Sequence, residues 1–190
     1  AGNRKTWTWS AWVKRGNINT EQYIFSGDKS SGSNAFHLRF NSNGTIQIRD
    51  FSNTNCYYIT NRLFRDVSAW YHITLTVDTT QASASNRIRL YVNGLEETSF
   101  STETDPSQNS DTGVNSTTEH VIGVENTTAY FDGYLAEVHF TDGTAYDADA
   151  FGEFKEGVWV AKAPDVTYGT NGFYLDFANS ADIGNDVSGE

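Results

Sequence analysis

The chain has 190 residues, enough for one domain with a buried core, and 14% of them are aromatic. Its 13 Lys and Arg residues are outnumbered by 24 Asp and Glu residues, so the net charge is −11. Such a field repels a phosphate backbone, which excludes nucleic acid as a partner. No apolar run reaches the ~20 residues of a membrane-spanning helix, so no membrane span is expected.

Cys56 is the only cysteine, so no intramolecular disulfide is possible and stability has to come from burial. We expect Cys56 to be a small core residue. The sequence contains no methionine, which predicts that the chain is part of a longer polypeptide. Residues 1–177 are expected to form a single domain, and the polar residues 178–190 a linker or the start of a following module.

Alternation of apolar and polar residues predicts short β-strands along the whole chain. The first, over residues 6–14, places Trp7 and Trp9 on one face and Trp12 on the other. Further strands are predicted over residues 23–25, 36–40, 45–50, 56–60, 120–124, 130–140 and 173–177. The polar residues 101–119 are expected to be a surface excursion or an irregular crossover between sheets, and residues 147–154 give the only helical pattern.

The clearest strand pair lies between Trp70 and Glu97, where two alternating runs are joined by a polar loop. Asn93-Gly94 then marks a tight reversal, because both residue types tolerate positive φ. We expect the apolar residues of this hairpin to lie in the core, and Trp70 to be buried with the Trp residues of the first strand. About a dozen short strands without long helices predict an all-β fold, an antiparallel two-sheet jelly-roll sandwich.

Four stretches in this order resemble the laminin-G-like, concanavalin A-like lectin/glucanase jelly-roll domain: TWTWSAWVKR, FRDVSAWYHITLTVD, NRIRLYVNG and FDGYLAEVHFTDGTAYDADAF. The resemblance covers roughly residues 6 to 154. The later stretch YGTNGFYLDFANSADIGNDVSG resembles connectors in virion proteins of marine bacteriophages. The resemblance implies a lectin-like binding or adhesion role at an extracellular or virion surface. The implied partners are a glycan or cell-surface polysaccharide and other domains of a longer virion or adhesin-like chain.

The sequence does not predict an enzyme. Glucanases of the family it resembles place acidic residues on one strand face in an E-x-D-x-E-like run, and this chain has no such run. Glu96 and Glu97 are adjacent and therefore point to opposite faces, and Glu137 stands alone on its strand. None of the four histidines shows the spacing of metal ligands.

Calcium is the cofactor that the resemblance implies. Pentraxin-like relatives hold it with an Asp-Asn pair before one strand and a short acidic loop after a late strand, and Ser33-Asn34 and Glu125-Asn126 stand at the matching positions. Ser33 replaces the Asp of the family, which lowers the charge of the site. The candidate ligands are Asn34, Glu125, Asn126, Asp132 and Asp28. The alternative is that these residues are turn formers selected for backbone geometry.

Loop-borne aromatic residues are the candidates for sugar binding, because such sites stack a ring on the sugar and surround it with polar groups. The candidates are Tyr130, Tyr57 and Tyr58, together with Asn126. We therefore predict a non-catalytic carbohydrate- or cell-surface-binding module that uses loops 26–34, 51–58 and 125–132. A structural module that binds only protein neighbours is the alternative, and a glycoside hydrolase is the third possibility.

Overall fold

The computed structural model describes residues 2–27, 35–52, 56–125 and 129–189. Its fourteen strands, β1 to β14 in chain order, are Thr6–Arg15, Gln22–Gly27, Phe36–Phe40, Ile46–Asp50, Tyr57–Thr60, Tyr71–Asp78, Ile88–Val92, Leu95–Glu97, Phe100–Thr104, His120–Ile122, Gly133–Asp142, Gly152–Lys155, Val158–Ala161 and Phe173–Leu175. Helical structure in these residues is limited to two 3-10 turns, Ala84–Asn86 and Ala148–Ala150. Neither turn is long enough to cross a membrane.

Twelve strands form two six-stranded antiparallel sheets, which confirms the predicted all-β jelly-roll sandwich. Sheet A has the order β14-β11-β1-β6-β7-β8, and sheet B has the order β10-β2-β3-β4-β5-β9. The remaining two strands, β12 and β13, pair with each other in a separate hairpin. Consecutive strands β2 to β5 are neighbours in sheet B, so a single continuous stretch of sequence builds the centre of that sheet.

The core lies between the two sheets and is built by the alternation seen in the sequence. Trp7 and Trp9 of β1 are fully buried, as predicted. The central hairpin contributes its apolar residues from β6 and β7, and Cys56 is 1% exposed in the same cluster. Asn93 and Gly94 have φ values of 52° and 77°, so the predicted tight turn is confirmed.

The polar face of sheet A is also buried, because the chain after β11 folds across it. Trp159 of β13 donates its indole N–H to Nδ1 of His72 over 3.1 Å. Nε2 of His72 therefore carries the proton and donates to Oγ of Ser10 at 3.0 Å, and Oγ of Ser10 lies 3.1 Å from Oγ1 of Thr74. Trp12 packs against this layer. The central strands of sheet A are thus covered on both faces. On the outer face of sheet B, Tyr23, His37 and Gln47 are also buried, whereas Arg39, Arg49 and Tyr57 are partly exposed.

Three expectations from the sequence are wrong. Phe100–Thr104, expected to begin a surface excursion, forms edge strand β9 beside β5, since an edge strand has one open side and tolerates polar residues. The helical pattern at residues 147–154 yields only the turn Ala148–Ala150 before β12 begins. Trp70 is 39% exposed rather than buried, because it precedes β6 at the end of the sheet.

The two buried histidines of sheet A make the stability of the fold depend on pH. Burial, together with the charge of His139, lowers the pKa of His72 to about 3, and burial lowers the pKa of His139 to about 4. Below the unfolded value of ~6.5 the unfolded chain binds more protons than the folded one, so acid destabilises the fold. We expect the free energy of unfolding to fall by about 2 kcal/mol per histidine between pH 7 and pH 5, measured by urea denaturation.

A non-titrating variant isolates the contribution of one of these groups. His72→Gln retains one acceptor for Trp159 and one donor for Ser10. The variant should therefore lose about 2 kcal/mol less than the wild type over the same pH interval. An identical pH dependence in both proteins would show that His72 is not held neutral by the fold.

Candidate functional site

The outward side chains of sheet B form two rows that cross strands β2 to β5. Successive residues of a strand point to opposite faces, so the residues between the core positions face outward. In the strand register, one row contains Tyr23, Arg39 and Gln47, and the other contains His37, Arg49 and Tyr57. With Phe51 and Glu125, which contact the second row, these residues form a surface that we call the arginine face.

Arg39 ties the first row together. Its guanidinium donates to the hydroxyl of Tyr23 at 2.6 Å, to Oε2 of Glu21 at 2.8 Å and to Oε1 of Gln47 at 3.2 Å. It also lies 5.1 Å from the centroid of the Tyr23 ring. The side chain of Arg39 is 16% exposed, and Glu21 balances its charge. Arg39 is therefore a fixed element of the face.

Arg49 in the second row lies between two aromatic rings. Its guanidinium carbon is 4.3 Å from the centroid of Phe51 and 4.5 Å from that of Tyr57, within the range of cation–π contacts. Phe51 is 41% exposed, so this arrangement lies at the surface. Among the described residues, the Arg49 guanidinium has no hydrogen-bond or ion-pair partner. Arg49 therefore presents unused N–H donors between two rings.

Glu125 lies at the border of the face and is held by two side chains. Its Oε1 is 2.9 Å from Nε2 of His37. Burial raises the pKa of Tyr23 to about 12, so this hydroxyl keeps its proton and hydrogen-bonds Glu125. Burial is also the main cause that lowers the pKa of His37, and the charges of Arg39 and Arg49 act in the same direction against Glu125. The imidazole is accordingly neutral at pH 7.

The sequence-predicted sugar ligands separate in the structure. Tyr57 lies on the arginine face, where it stacks on Arg49. Tyr58 is 3% exposed and its hydroxyl donates to Asp105, so its assignment as a sugar ligand is wrong. The reason is strand alternation: Tyr58 belongs to β5 and turns into the core. Tyr130 is 60% exposed ahead of β11, and Asn126 lies outside the described residues.

The predicted calcium ligands are only partly within the described residues. Asp28, Asn34 and Asn126 lie outside them. The carboxylate of Glu125 contacts His37, whereas that of Asp132 accepts a hydrogen bond from the side-chain amide of Asn17. Within the part of the chain that the structure describes, His, Cys, Asp and Glu side chains form no group of three or more that could hold a metal. The calcium site stays a prediction.

A second surface lies at one end of sheet A and is formed by aromatic residues. A cavity of about 390 Å³ is lined by Trp12, Trp70, Ala136, Glu137, Trp159, Val160 and Ala161, and we call it the tryptophan groove. Glu137 sits at a β-bulge with a φ of 51° and accepts a hydrogen bond from the Tyr174 hydroxyl over 2.5 Å. The groove is largely apolar, and its Glu137 carboxylate already has a partner.

Most of the arginine face was absent from the candidates predicted from the sequence, which included only Tyr57 and Glu125. The signal for the rest is present in the segments FHLRF and TIQIRD, where polar residues alternate with core residues. That alternation assigns His37 and Arg39 to the outward face of their strand. It does not reveal that His37 lies opposite Arg49, because this depends on the register between β3 and β4.

Comparison with known proteins places the chain in a family. A family model described as the concanavalin A-like lectin/glucanases superfamily matches residues 2–150, which is most of the chain. No curated protein sequence matches the chain.

Solved structures share the fold at low sequence identity. The CBM40 module of the Ruminococcus gnavus IT-sialidase, bound to α2,3-sialyllactose, has a TM-score of 0.51 and 19% identity, with 77% of this chain and 80% of that module covered. The leech intramolecular trans-sialidase has a TM-score of 0.51 and 18% identity, with 77% of this chain and 22% of that enzyme covered. Domain 4 of the extracellular arabinanase from Geobacillus stearothermophilus, in complex with arabinotriose, has a TM-score of 0.49 and 18% identity. The match covers 76% of this chain and 64% of that domain. This chain thus covers less than two thirds of the last two structures.

The contrast between Tyr57 and Tyr58 can be tested by stability. Tyr58→Ala removes a ring from the core and should lower the free energy of unfolding by about 3–5 kcal/mol. Tyr57→Ala removes a partly exposed ring that stacks on Arg49 and should cost less than about 1 kcal/mol. Chemical denaturation of both variants measures the two values. Equal losses would contradict the assignment of Tyr57 to the surface and Tyr58 to the core.

Proposed function

Because the chain belongs to the concanavalin A-like lectin/glucanase superfamily, we propose that it is a non-catalytic carbohydrate-binding module that binds a glycan on the arginine face. The observation that carries this proposal is the combination of groups on one sheet face. The rings of exposed Phe51 and partly exposed Tyr57 stack on the guanidinium of Arg49, and Arg39 lies in the neighbouring row of the same sheet face. Sugar sites combine aromatic rings with a few fixed polar groups in this way.

The chemistry of a sugar ring matches this combination. One side of a pyranose is lined by C–H bonds, which pack on an aromatic ring, and its hydroxyls extend from the edge as donors and acceptors. Phe51 and Tyr57 supply the rings. Glu125 supplies an acceptor, and the guanidinium groups supply donors in a fixed fork.

The arrangement is held in place before a ligand arrives. Arg39 is fixed by three hydrogen bonds, and Glu125 is fixed by His37 and Tyr23. Side chains that are already ordered lose less conformational freedom on binding, which favours affinity for a small polar ligand. The fold-level likeness to the CBM40 module, which was solved with α2,3-sialyllactose, supports a glycan-binding role by analogy.

The wider setting is also a proposal. We place the module in a larger protein exposed at an extracellular or virion surface, where it attaches its carrier to a cell-surface polysaccharide. The bacteriophage assignment is supported by the resemblance of residues 168–189 to connectors of phage virion proteins. A glycan array that includes bacterial capsular and lipopolysaccharide samples would test this setting directly.

Loss of the Tyr57 ring is the first test of the arginine face. On the best glycan from an array, Tyr57→Ala should weaken binding about three- to tenfold, because one stacking contact contributes ~0.5–1.5 kcal/mol. Tyr57→Phe keeps the ring and should retain most of the affinity. Trp70→Ala is the matched control, since it removes an exposed aromatic residue from the tryptophan groove. Isothermal titration calorimetry measures all three.

The competing function is a structural module that binds only protein neighbours. The observation that favours it is the tryptophan groove, where Trp70 and the adjacent Tyr134 are 39% and 63% exposed. In that case the glycan array stays blank at high protein concentration, and Trp70→Ala rather than Tyr57→Ala impairs assembly with the neighbouring protein. Equal loss of glycan affinity in Trp70→Ala and Tyr57→Ala would likewise contradict a site on the arginine face.

Calcium is proposed as an aid to binding and can be tested by thermal unfolding. A ligand that binds only the folded state stabilises it, so 10 mM calcium at a Kd of ~0.1–1 mM should raise Tm by roughly 3–10 °C. Glu125→Gln should remove the shift. Glu21→Gln is the control, because Glu21 pairs with Arg39 and is not among the candidate ligands. An unchanged Tm in millimolar calcium would refute the metal site.

A further inference from the structure

We propose that the glycan bound on the arginine face carries an acidic group, a carboxylate or a sulfate ester, and that Arg49 binds this group. The inference rests on the proposed function of that face. It assigns to Arg49 the role of a specificity-determining residue, and it assigns to the neighbouring rings the role of holding the sugar.

The first argument is the contrast between the two arginines. Arg39 is neutralised by Glu21 and shares hydrogen bonds with two further side chains. Arg49, two residue pairs further along the same two strands, has no acidic partner among the described residues. Acidic residues outnumber basic ones by 24 to 13, so the chain has more than enough carboxylates to pair every arginine. The guanidinium of Arg49 is therefore available to an external anion on this face, whereas that of Arg39 already has an acidic partner.

The second argument is the geometry of the stack. The guanidinium carbon lies over the Phe51 ring at 4.3 Å and over the Tyr57 ring at 4.5 Å, and these contacts leave its N–H groups without a hydrogen-bond partner in the described part of the chain. Those donors are the groups that bind a carboxylate or sulfate with two parallel hydrogen bonds. The rings also restrict rotation of the long side chain, which lowers the entropy lost when it grips an anion.

The third argument is the charge that faces Arg49 from its neighbours. The residues directly opposite it are His37 on β3 and Tyr57 on β5, and neither supplies a negative charge at pH 7. Glu125, the nearest carboxylate of the face, is instead held by His37 and Tyr23. An anionic ligand group would pair with the Arg49 guanidinium, which has no ion-pair partner among the described residues, and Glu125 would face the hydroxyls of the same sugar.

Paired glycans that differ only in the acidic group test the inference. An array carries oligogalacturonate with its carboxyl-reduced form, and carrageenan oligosaccharide with its desulfated form, among other acidic and neutral pairs. Calorimetry then follows the pair with the strongest signal. We expect the acidic member to bind at least tenfold more tightly, and the two arms identify whether the group is a carboxylate or a sulfate. Raising the salt from 50 to 500 mM should weaken only the acidic member.

Variants of Arg49 separate recognition from folding. Arg49→Gln should remove the tenfold preference, so that the acidic and neutral members bind this variant with similar affinity. Arg49→Lys should restore it only in part, because an ammonium cannot form two parallel hydrogen bonds. Arg62→Gln is the matched control, since Arg62 stacks on Phe64 outside the face at 5.1 Å. Thermal unfolding of each variant confirms that it is folded.

The outcomes distinguish this inference from the function on which it rests. A neutral glycan that binds as tightly as its acidic counterpart overturns the role of Arg49 and leaves the carbohydrate-binding function intact. A preference for the acidic member that survives in folded Arg49→Gln also overturns that role. An array on which no glycan binds overturns both proposals together.

Discussion

Strand β1 is buried on both of its faces, and the arrangement of the other elements follows from this constraint. Trp7 and Trp9 fill the space between the sheets, so the opposite face of β1 carries the polar residues. A buried hydroxyl or imidazole without a hydrogen bond costs about 1–3 kcal/mol, and these groups must therefore find partners. The chain from Trp159 through His72 to Ser10 supplies them. The segment after β11 has to fold over sheet A to complete this chain.

The outer faces of the two sheets hold different chemistry. On sheet A, burial keeps His72 and His139 neutral by lowering their pKa values. On sheet B, the guanidinium groups of Arg39 and Arg49 are partly exposed, and Glu21 balances the charge of Arg39. A polar ligand therefore finds charged donors on sheet B, whereas the polar groups of sheet A are already satisfied within the protein.

The sequence was sufficient for the fold, and insufficient for the site, for a physical reason. Period-two alternation is local, so it predicts which residues of β1 and β6 enter the core and places the turn at Asn93-Gly94. The arginine face depends on register, because His37 meets Arg49 only through the pairing of β3 with β4. The hydrogen bond from Trp159 to His72 joins residues 87 positions apart, and no local pattern encodes it. The error at Tyr58 is local rather than long-range. A strand was predicted at residues 56–60, but the alternation within that strand was not used to decide which face Tyr58 occupies.

The acidity of the whole chain is compatible with a guanidinium at Arg49 that is unpaired within the described residues, because the two act over different distances. At physiological ionic strength the Debye length is ~8 Å, so the field of the distant carboxylates is largely screened at the surface of sheet B. A group in hydrogen-bond contact with Arg49 interacts mainly with that guanidinium and its two rings. The net charge of −11 still slows the approach of an anionic polymer and suppresses non-specific adsorption to it. Binding of an acidic glycan then depends on direct contact with Arg49 rather than on long-range electrostatic attraction to the whole protein. Under this condition a single arginine can determine specificity.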